Sequence, residues 1–316
     1  MTNLPKYKNI LLVGSTGNVG QVLVDELKKL NVGNVIAPEQ KDLDYFNKES
    51  IHKYLVDYKP ELIYLVGAYT NVDKAEGEDN ELCHRINVNG IKSFLGELID
   101  FHDKVDKKYK PTVIYISTEM VGVAEGPLSE DENVWEPLVA KNEYGKSKAL
   151  AEKVVRDVHD EFPDFFEYRI LRICFPIAGW RKGSIFTLLK NTVGEGKEVS
   201  LVTDEIQTLT YIPYTAYNSL LIAKYGENGV YHDAMLSGGD GRGYSPFEIG
   251  TYFAELIGFD VSLIGQMKHQ DMYNKGWWIA PRGLSAELVM GKGPKIEGWK
   301  SGNMEEIISH FVEEMS

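Results

Sequence analysis

Short apolar runs and amphipathic stretches alternate along the first half of the chain. KNILLV (8–13) is an apolar run closed by glycine, the pattern of a strand buried on both faces. After the loop GSTGNVG, residues 21–30 place Val22, Leu23, Leu27 and Leu30 at a helical period. Val35–Ala37 predicts a second strand, 48–58 a helix, Leu62–Val66 a third strand after Pro60, and 80–103 one long helix. VIYIS (113–117) predicts a fourth strand, the stretch from Tyr144 a helix, and YRILRI (168–173) a fifth strand. Strands alternating with helices at this spacing imply right-handed βαβ units and a doubly wound parallel α/β sheet.

Beyond residue 173 the alternation degrades. Residues 183–193, 214–224, 246–257 and 305–314 have helical patterns, and between them lie glycine-rich loops such as SGGDGRG (237–243). The chain therefore divides, as an expectation, into a nucleotide-binding region 1–173 and a smaller α/β substrate-binding region 174–316, with some later segments packing back onto the first.

Charge narrows the function. The 316 residues carry a net charge of −13, which argues against a nucleic-acid binder. The two cysteines, Cys83 and Cys174, and the scattered histidines form no ligand spacing, so neither a disulfide framework nor a metal site is expected. No apolar stretch approaches the length of a membrane span, and the N-terminus has no secretory pattern. The expectation is a cytoplasmic protein without membrane partners.

Two motifs carry chemistry. Gly14, Gly17 and Gly20 form Gly-x-x-Gly-x-x-Gly between the first strand and the first helix, with Thr16, Asn18 and Val19 between them. Glycines there let the backbone turn and approach a pyrophosphate at the helix N-terminus. Glu39, 19 residues after Gly20, stands where an acid binds the adenosine ribose, which favours NAD over NADP. Asp42 and Leu43 could instead flank the adenine. The second motif is Tyr144 four residues before Lys148 at a helix start, so that both share one face. A free tyrosine has a pKa near 10, and a neighbouring ammonium lowers it. Ser117 and Thr118 end the fourth strand at the sheet edge where ligands bind. A hydroxyl, a phenol and an ammonium in this order suit proton exchange with an alkoxide as hydride arrives from a nicotinamide.

With these motifs in place, the chain resembles the extended short-chain dehydrogenase/reductases that act on nucleotide sugars, and within them the dTDP-4-dehydrorhamnose reductases. The resemblance rests on VGSTGNVG (13–20), AYTNVDKAE (68–76), INVNG (86–90), YISTEMVG (115–122), NEYGKSKALAEK (142–153) and IAPRGLSAEL (279–288). It implies a Rossmann fold, Thr118, Tyr144 and Lys148 as a catalytic triad, and Lys148 also on the nicotinamide ribose. It further implies Ala68, Tyr69 and Thr70 along the cofactor's ribose, with Asn87 at a helix position common in the group and Ser117 beside the cofactor. The substrate would be a nucleotide sugar reduced at a 4-keto carbon, with a nucleotide-sugar 4-epimerase, a 4-dehydrogenase or a non-catalytic regulatory subunit as alternatives on the same scaffold. A homodimer is compatible with it.

Departures are visible too. Dehydratases of the superfamily carry Thr-Asp-Glu where this chain has Thr118-Glu119-Met120, and methionine can act as neither acid nor base. The reductases' aromatic run after the fifth strand is replaced by Cys174-Phe175-Pro176. Glu119 and Phe175 are therefore expected beside the sugar. Arg242 and Arg282, with Arg181 and Lys182 as further candidates, are expected to meet the diphosphate. The Trp277-Trp278 pair suits base stacking or an interface.

Overall fold

A computed structural model describes residues 4–179, 184–235 and 243–315. Six parallel strands form the central sheet: β1 (Asn9–Val13), β2 (Asn34–Ile36), β3 (Leu62–Leu65), β4 (Thr112–Thr118), β5 (Glu167–Ile173) and β6 (Gly229–Asp233). Their order is β6-β5-β4-β3-β1-β2, all neighbours parallel. The order reverses between β1 and β3, the switch point at whose carboxyl side open α/β sheets bind ligands.

Five helices matter for that edge: α1 (Asn18–Lys29), α2 (Lys48–Tyr58), α3 (Gly90–Lys104), α4 (Glu143–Glu161) and α5 (Ile212–Tyr225). Alternate residues of β1 serve opposite faces, as strand geometry requires. Leu11 and Val13 pack with Ile51, Leu55, Phe94, Leu98 and Val155 beneath α2, α3 and α4. Ile10 and Leu12 pack with Leu23, Leu27, Ala216 and Leu220 beneath α1 and α5. Both faces are covered, which is why these strands read as continuous apolar runs.

The structure corrects the sequence reading in two places. The long helix expected over 80–103 is interrupted: Asn80–His84 is α-helical, Arg85–Asn89 makes one π turn, and α3 follows. The widened turn carries Asn87, whose side chain is drawn into bonds with Tyr69 and Ser147 rather than left on the helix surface. The second is β6, which shows no apolar run because His232 and Asp233 are buried within it. His232 takes a bond between its Nδ1 and the Val289 carbonyl, and Asn218 donates to Asp233. Such partners make polar strand residues tolerable in the interior.

A separate apolar cluster gathers the later helices Ile185–Asn191, Pro246–Leu256 and Met304–Met315, centred on Phe186, Leu189, Phe253, Ile308 and Phe311. Small parallel pairs surround it: 199–202 with 264–267, 206–207 with 285–286, and 176–177 with 210–211. Ser245 and Glu248 form a reciprocal capping box that starts the Pro246–Leu256 helix.

Candidate active site

The glycine loop lies at the switch point. Gly14 has φ +94°, and a Cβ there would stand 2.2 Å from the Gly67 nitrogen. A Cβ on Gly20 would stand 2.1 Å from the Gly14 carbonyl oxygen. Both positions are glycine because the protein's own backbone fills the space. Gly17 differs: its Cβ would meet only the Gly14 oxygen, at 3.5 Å. It is also the N-cap of α1 and offers no side chain to the first N–H groups. A bare, uncapped helix N-terminus of this length suits an anionic group. Thr16 and Asn18 are exposed there, Val19 half-buried.

Beyond β2, Glu39 is exposed and lies 3.0 Å from Lys41. Asp42 is exposed, whereas Leu43 is buried in the core under α2. The loop 67–70 follows β3. Within it Tyr69 donates its backbone N–H to Asn87 Oδ1 (2.8 Å) and its hydroxyl to Asp79 (2.7 Å), Ala68 is half-buried, and Thr70 is exposed. Asn87 Nδ2 donates back to the Tyr69 carbonyl (3.1 Å) and to Ser147 Oγ (2.8 Å) on α4. One amide thereby ties the loop to the helix that carries Tyr144 and Lys148.

Helix α4 begins with Asn142, whose side chain accepts from Gly145 N (2.8 Å). Gly145 is required because a Cβ would stand 2.1 Å from the Met120 carbonyl oxygen. That close approach lays the first turn of α4, with Tyr144, against the segment just past the end of β4. Burial, with the nearby Glu119 and Cys83 adding to it, raises the Tyr144 pKa, and Thr118 works the other way. Lys148 is buried, and its Nζ donates to the Ile116 carbonyl (2.7 Å) and lies 4.1 Å from the Tyr115 ring centroid. Burial pushes the ammonium down to about 7, against the pull of Glu152 and Cys83. Lys148 is thus anchored to β4 at Ile116, while the first turn of α4, which carries Tyr144, packs against Met120 just beyond Thr118.

Ser117 points the other way. Its hydroxyl donates to Glu152 Oε1 (2.5 Å), one turn beyond Lys148. Glu152 also accepts from Trp135 Nε1 (3.0 Å) and from Arg172 through Nε (3.0 Å) and Nη2 (2.8 Å). Glu152 and Arg172 are fully buried, and Arg172 Nη1 reaches His232 (3.4 Å) on β6. Sequence reasoning missed this network. Its signals were an acid at i+4 from Lys148 and an arginine inside an apolar strand.

A cleft of about 230 Å³ opens next to Thr118, lined by Glu119, residues 123–128, Glu132 and 285–287. Glu119 is hydrogen-bonded to Thr118 Oγ1 at 2.6 Å. Phe175, just beyond β5, adopts φ +40° and packs on the edge of two apolar clusters. Arg282 grips Asp73 through Nη1 (3.0 Å) and Nη2 (2.8 Å) and sits 4.5 Å from the Trp278 ring. Burial raises the Asp73 pKa, but Arg282 and the N–H groups of Ile279 and Ala280 overcome it and hold the carboxyl near about 2. Arg282 is therefore engaged with a carboxylate. Trp277 is exposed under Lys275. Arg242, Arg181 and Lys182 lie outside the described residues. Among the described residues no group of histidine, cysteine and acidic side chains is arranged to hold a metal, and no helix is long and apolar enough to cross a membrane.

Comparison with known proteins gives a consistent picture. Residues 8–315 match the family described as RmlD substrate binding domain. The chain is 27% identical over 310 residues to the spore coat polysaccharide biosynthesis protein SpsK of Bacillus subtilis (strain 168), covering 97% of this chain and 98% of that protein. It is 27% identical over 232 residues to the dTDP-4-dehydrorhamnose reductase of Aggregatibacter actinomycetemcomitans, covering 71% and 72%. The crystal structure of dTDP-4-dehydrorhamnose reductase from Bacillus anthracis str. Ames in complex with NADP superposes with a TM-score of 0.81 at 21% identity, covering 98% and 99%.

Proposed function

The chain belongs to the RmlD substrate binding domain family, and we propose that it reduces the 4-keto group of a nucleotide-linked sugar with hydride from a nicotinamide cofactor. It is an NAD(P)-dependent oxidoreductase of the extended short-chain dehydrogenase/reductase type. The observation that supports the reading is that Lys148 is anchored on the Ile116 carbonyl of β4 while the start of α4, which carries Tyr144, packs against Met120 just past Thr118, beside the cleft that Glu119 lines. The glycine loop and the α1 N-terminus would hold the pyrophosphate, with Gly17 the glycine the protein's own packing does not demand. The loop 67–70, braced by Asn87, would line the ribose. Glu39, exposed beyond β2, supports NAD as the preferred form.

When bound, the nicotinamide supplies the hydride. The protein's part is to place the carbonyl and deliver a proton. Tyr144 keeps its phenolic proton at neutral pH because burial disfavours phenolate. It can therefore act as the general acid once negative charge develops on the substrate oxygen. Thr118 beside it would orient that oxygen. Lys148, fixed on the Ile116 carbonyl, stands on the same face of α4 and supplies positive charge as phenolate forms.

The test is cofactor oxidation by the purified protein with a panel of 4-keto nucleotide sugars, using NADH and NADPH in turn. Rapid cofactor loss with one sugar, absent in Tyr144→Phe, is the expected result. Silence across the panel with cofactor still bound would refute it.

A further inference from the structure

Lys148 is a buried charge without a countercharge. It is 3% exposed, and among the described residues no carboxylate lies within ion-pair distance of its Nζ. Glu152 follows one turn later on the same face of α4, but both its oxygens are taken. Oε1 accepts from Ser117 and Arg172 Nε, and Oε2 from Trp135 and Arg172 Nη2. A buried ammonium is costly unless something compensates it.

Two groups meet Nζ, and both belong to β4. The Ile116 carbonyl accepts from it at 2.7 Å. The Tyr115 ring lies against it, with the centroid 4.1 Å away. Val113 and Tyr115 face the core beneath α3 and α4, whereas Ile114 and Ile116 face the opposite layer. The Tyr115 side chain is fully buried, and its hydroxyl has no hydrogen-bond partner among the described residues. Burial, followed by the charges of Glu152, Tyr144, Tyr45 and Cys83, raises its phenol well above the ordinary value. Tyr115 therefore stays neutral and offers Lys148 the negative face of an aromatic ring.

Resting on the reductase reading of this site, we propose that Tyr115 is a positioning residue for the reaction, its ring holding the Lys148 ammonium in place and in its charged form. The attraction between a ring face and a cation strengthens where water is excluded, as it is here. Carbonyl and ring come from adjacent strand residues, so the ammonium is fixed relative to β4 and not only to its own helix. An ammonium has three N–H groups, and Ile116 uses one of them. Positive charge thus remains available as phenolate forms on Tyr144.

The titratable groups gathered around Lys148 are Tyr144 and Glu152 on α4, Tyr115 on β4, Cys83 on the Asn80–His84 helix and Tyr45 beyond β2. Burial pushes the ammonium down to about 7, against the pull of Glu152 and Cys83. Near that value a modest loss of support decides whether the lysine is charged at neutral pH. Removing the ring disfavours the charged form, so deprotonation moves to lower pH.

The experiment compares wild type with Tyr115→Phe, Tyr115→Leu and Tyr115→Met. It reads kcat across pH and the lysine carbon NMR titration of cofactor-free protein, with the Lys148 resonance assigned from Lys148→Met. Tyr115→Phe keeps the ring and drops only an unpartnered hydroxyl, so it should titrate and turn over like wild type. The Leu and Met variants keep apolar bulk without the ring, and two are made because one could fail to pack. In them Lys148 should hold its proton about 10-fold more weakly. Their kcat should fall about 10-fold on the alkaline side and meet the wild-type value in acid, whereas a packing role would lower it at every pH. An unchanged lysine titration in the Leu and Met variants, or a Phe variant that behaves like them, overturns the proposal and leaves the reductase reading standing. No reduction by the wild type with any sugar of the panel removes that reading, while the lysine titration still judges the ring.

Discussion

The two regions on either side of the candidate site are built differently. On one side, Thr118, Tyr144 and Lys148 sit on β4 and α4, elements of seven and nineteen residues whose apolar faces are buried in the main core. Behind them the Glu152–Arg172 pair satisfies Ser117 and Trp135 in an interior shielded from water. On the other side, residues 206–207 and 285–286 form strands of two residues each, and the loop around Arg282 is held to the single residue Asp73 by an ion pair and two backbone N–H bonds. Groups that exchange protons need fixed geometry, which long packed elements supply; groups that choose a substrate sit on loops that tolerate change.

Loss of the Tyr144 phenol should break the packed region's chemistry most sharply. Tyr144→Phe is expected to lower kcat by about 10³-fold or more with cofactor affinity retained, measured by steady-state turnover and cofactor titration. Next in size is Glu152→Ala. Removing one partner of a buried pair leaves Arg172 uncompensated, and a loss of about 3–5 kcal/mol in stability follows, read by denaturant unfolding. If the variant unfolds like wild type, the network does not support the site.

The glycine loop gives a finer contrast. Gly20→Ala would place a Cβ against the Gly14 oxygen and disturb the loop itself. Gly17→Ala should fold normally yet weaken cofactor binding by about 10-fold, or about 1.4 kcal/mol, because only a bound pyrophosphate would contest the added methyl. Equal stability with unchanged cofactor affinity would count against that placement.

The loop region should respond least. Arg282→Ala is expected to raise KM for the sugar with little change in kcat, and to lower stability by about 1 kcal/mol. The pair also sets a pH dependence. The Asp73 pKa is depressed to about 2 from an ordinary carboxylate value, so its contribution is present above about pH 4 and disappears as pH falls toward 2. Acid unfolding of wild type and Arg282→Ala should therefore converge at low pH, and a constant gap would show that the pair is not what stabilises the loop.

The parallel sheet was legible because strands covered on both faces must be apolar, and β1, β3, β4 and β5 are. The glycine loop and the Tyr144–Lys148 spacing were legible because local backbone geometry fixes them within one turn or one helix face. Glu152 and Arg172 were not, since each looks like an ordinary surface charge until β5 and α4 bring them within 3 Å. Arg282 was read as a free cation for phosphate because its partner, Asp73, is 209 positions away.

The sequence by itself determined the alternation of the first five strands with helices and the glycine turn at the switch point. Both follow from periodicity and short-range sterics. Only the tertiary structure decided that His232 and Asp233 form the sixth strand, that the helix widens at Asn87, and that Ser117 faces Glu152 and away from the cleft. It alone placed Glu119 between Thr118 and open solvent. Each of these depends on a polar group whose burial is tolerable only beside a partner from a distant segment, and no local pattern records where that partner will be.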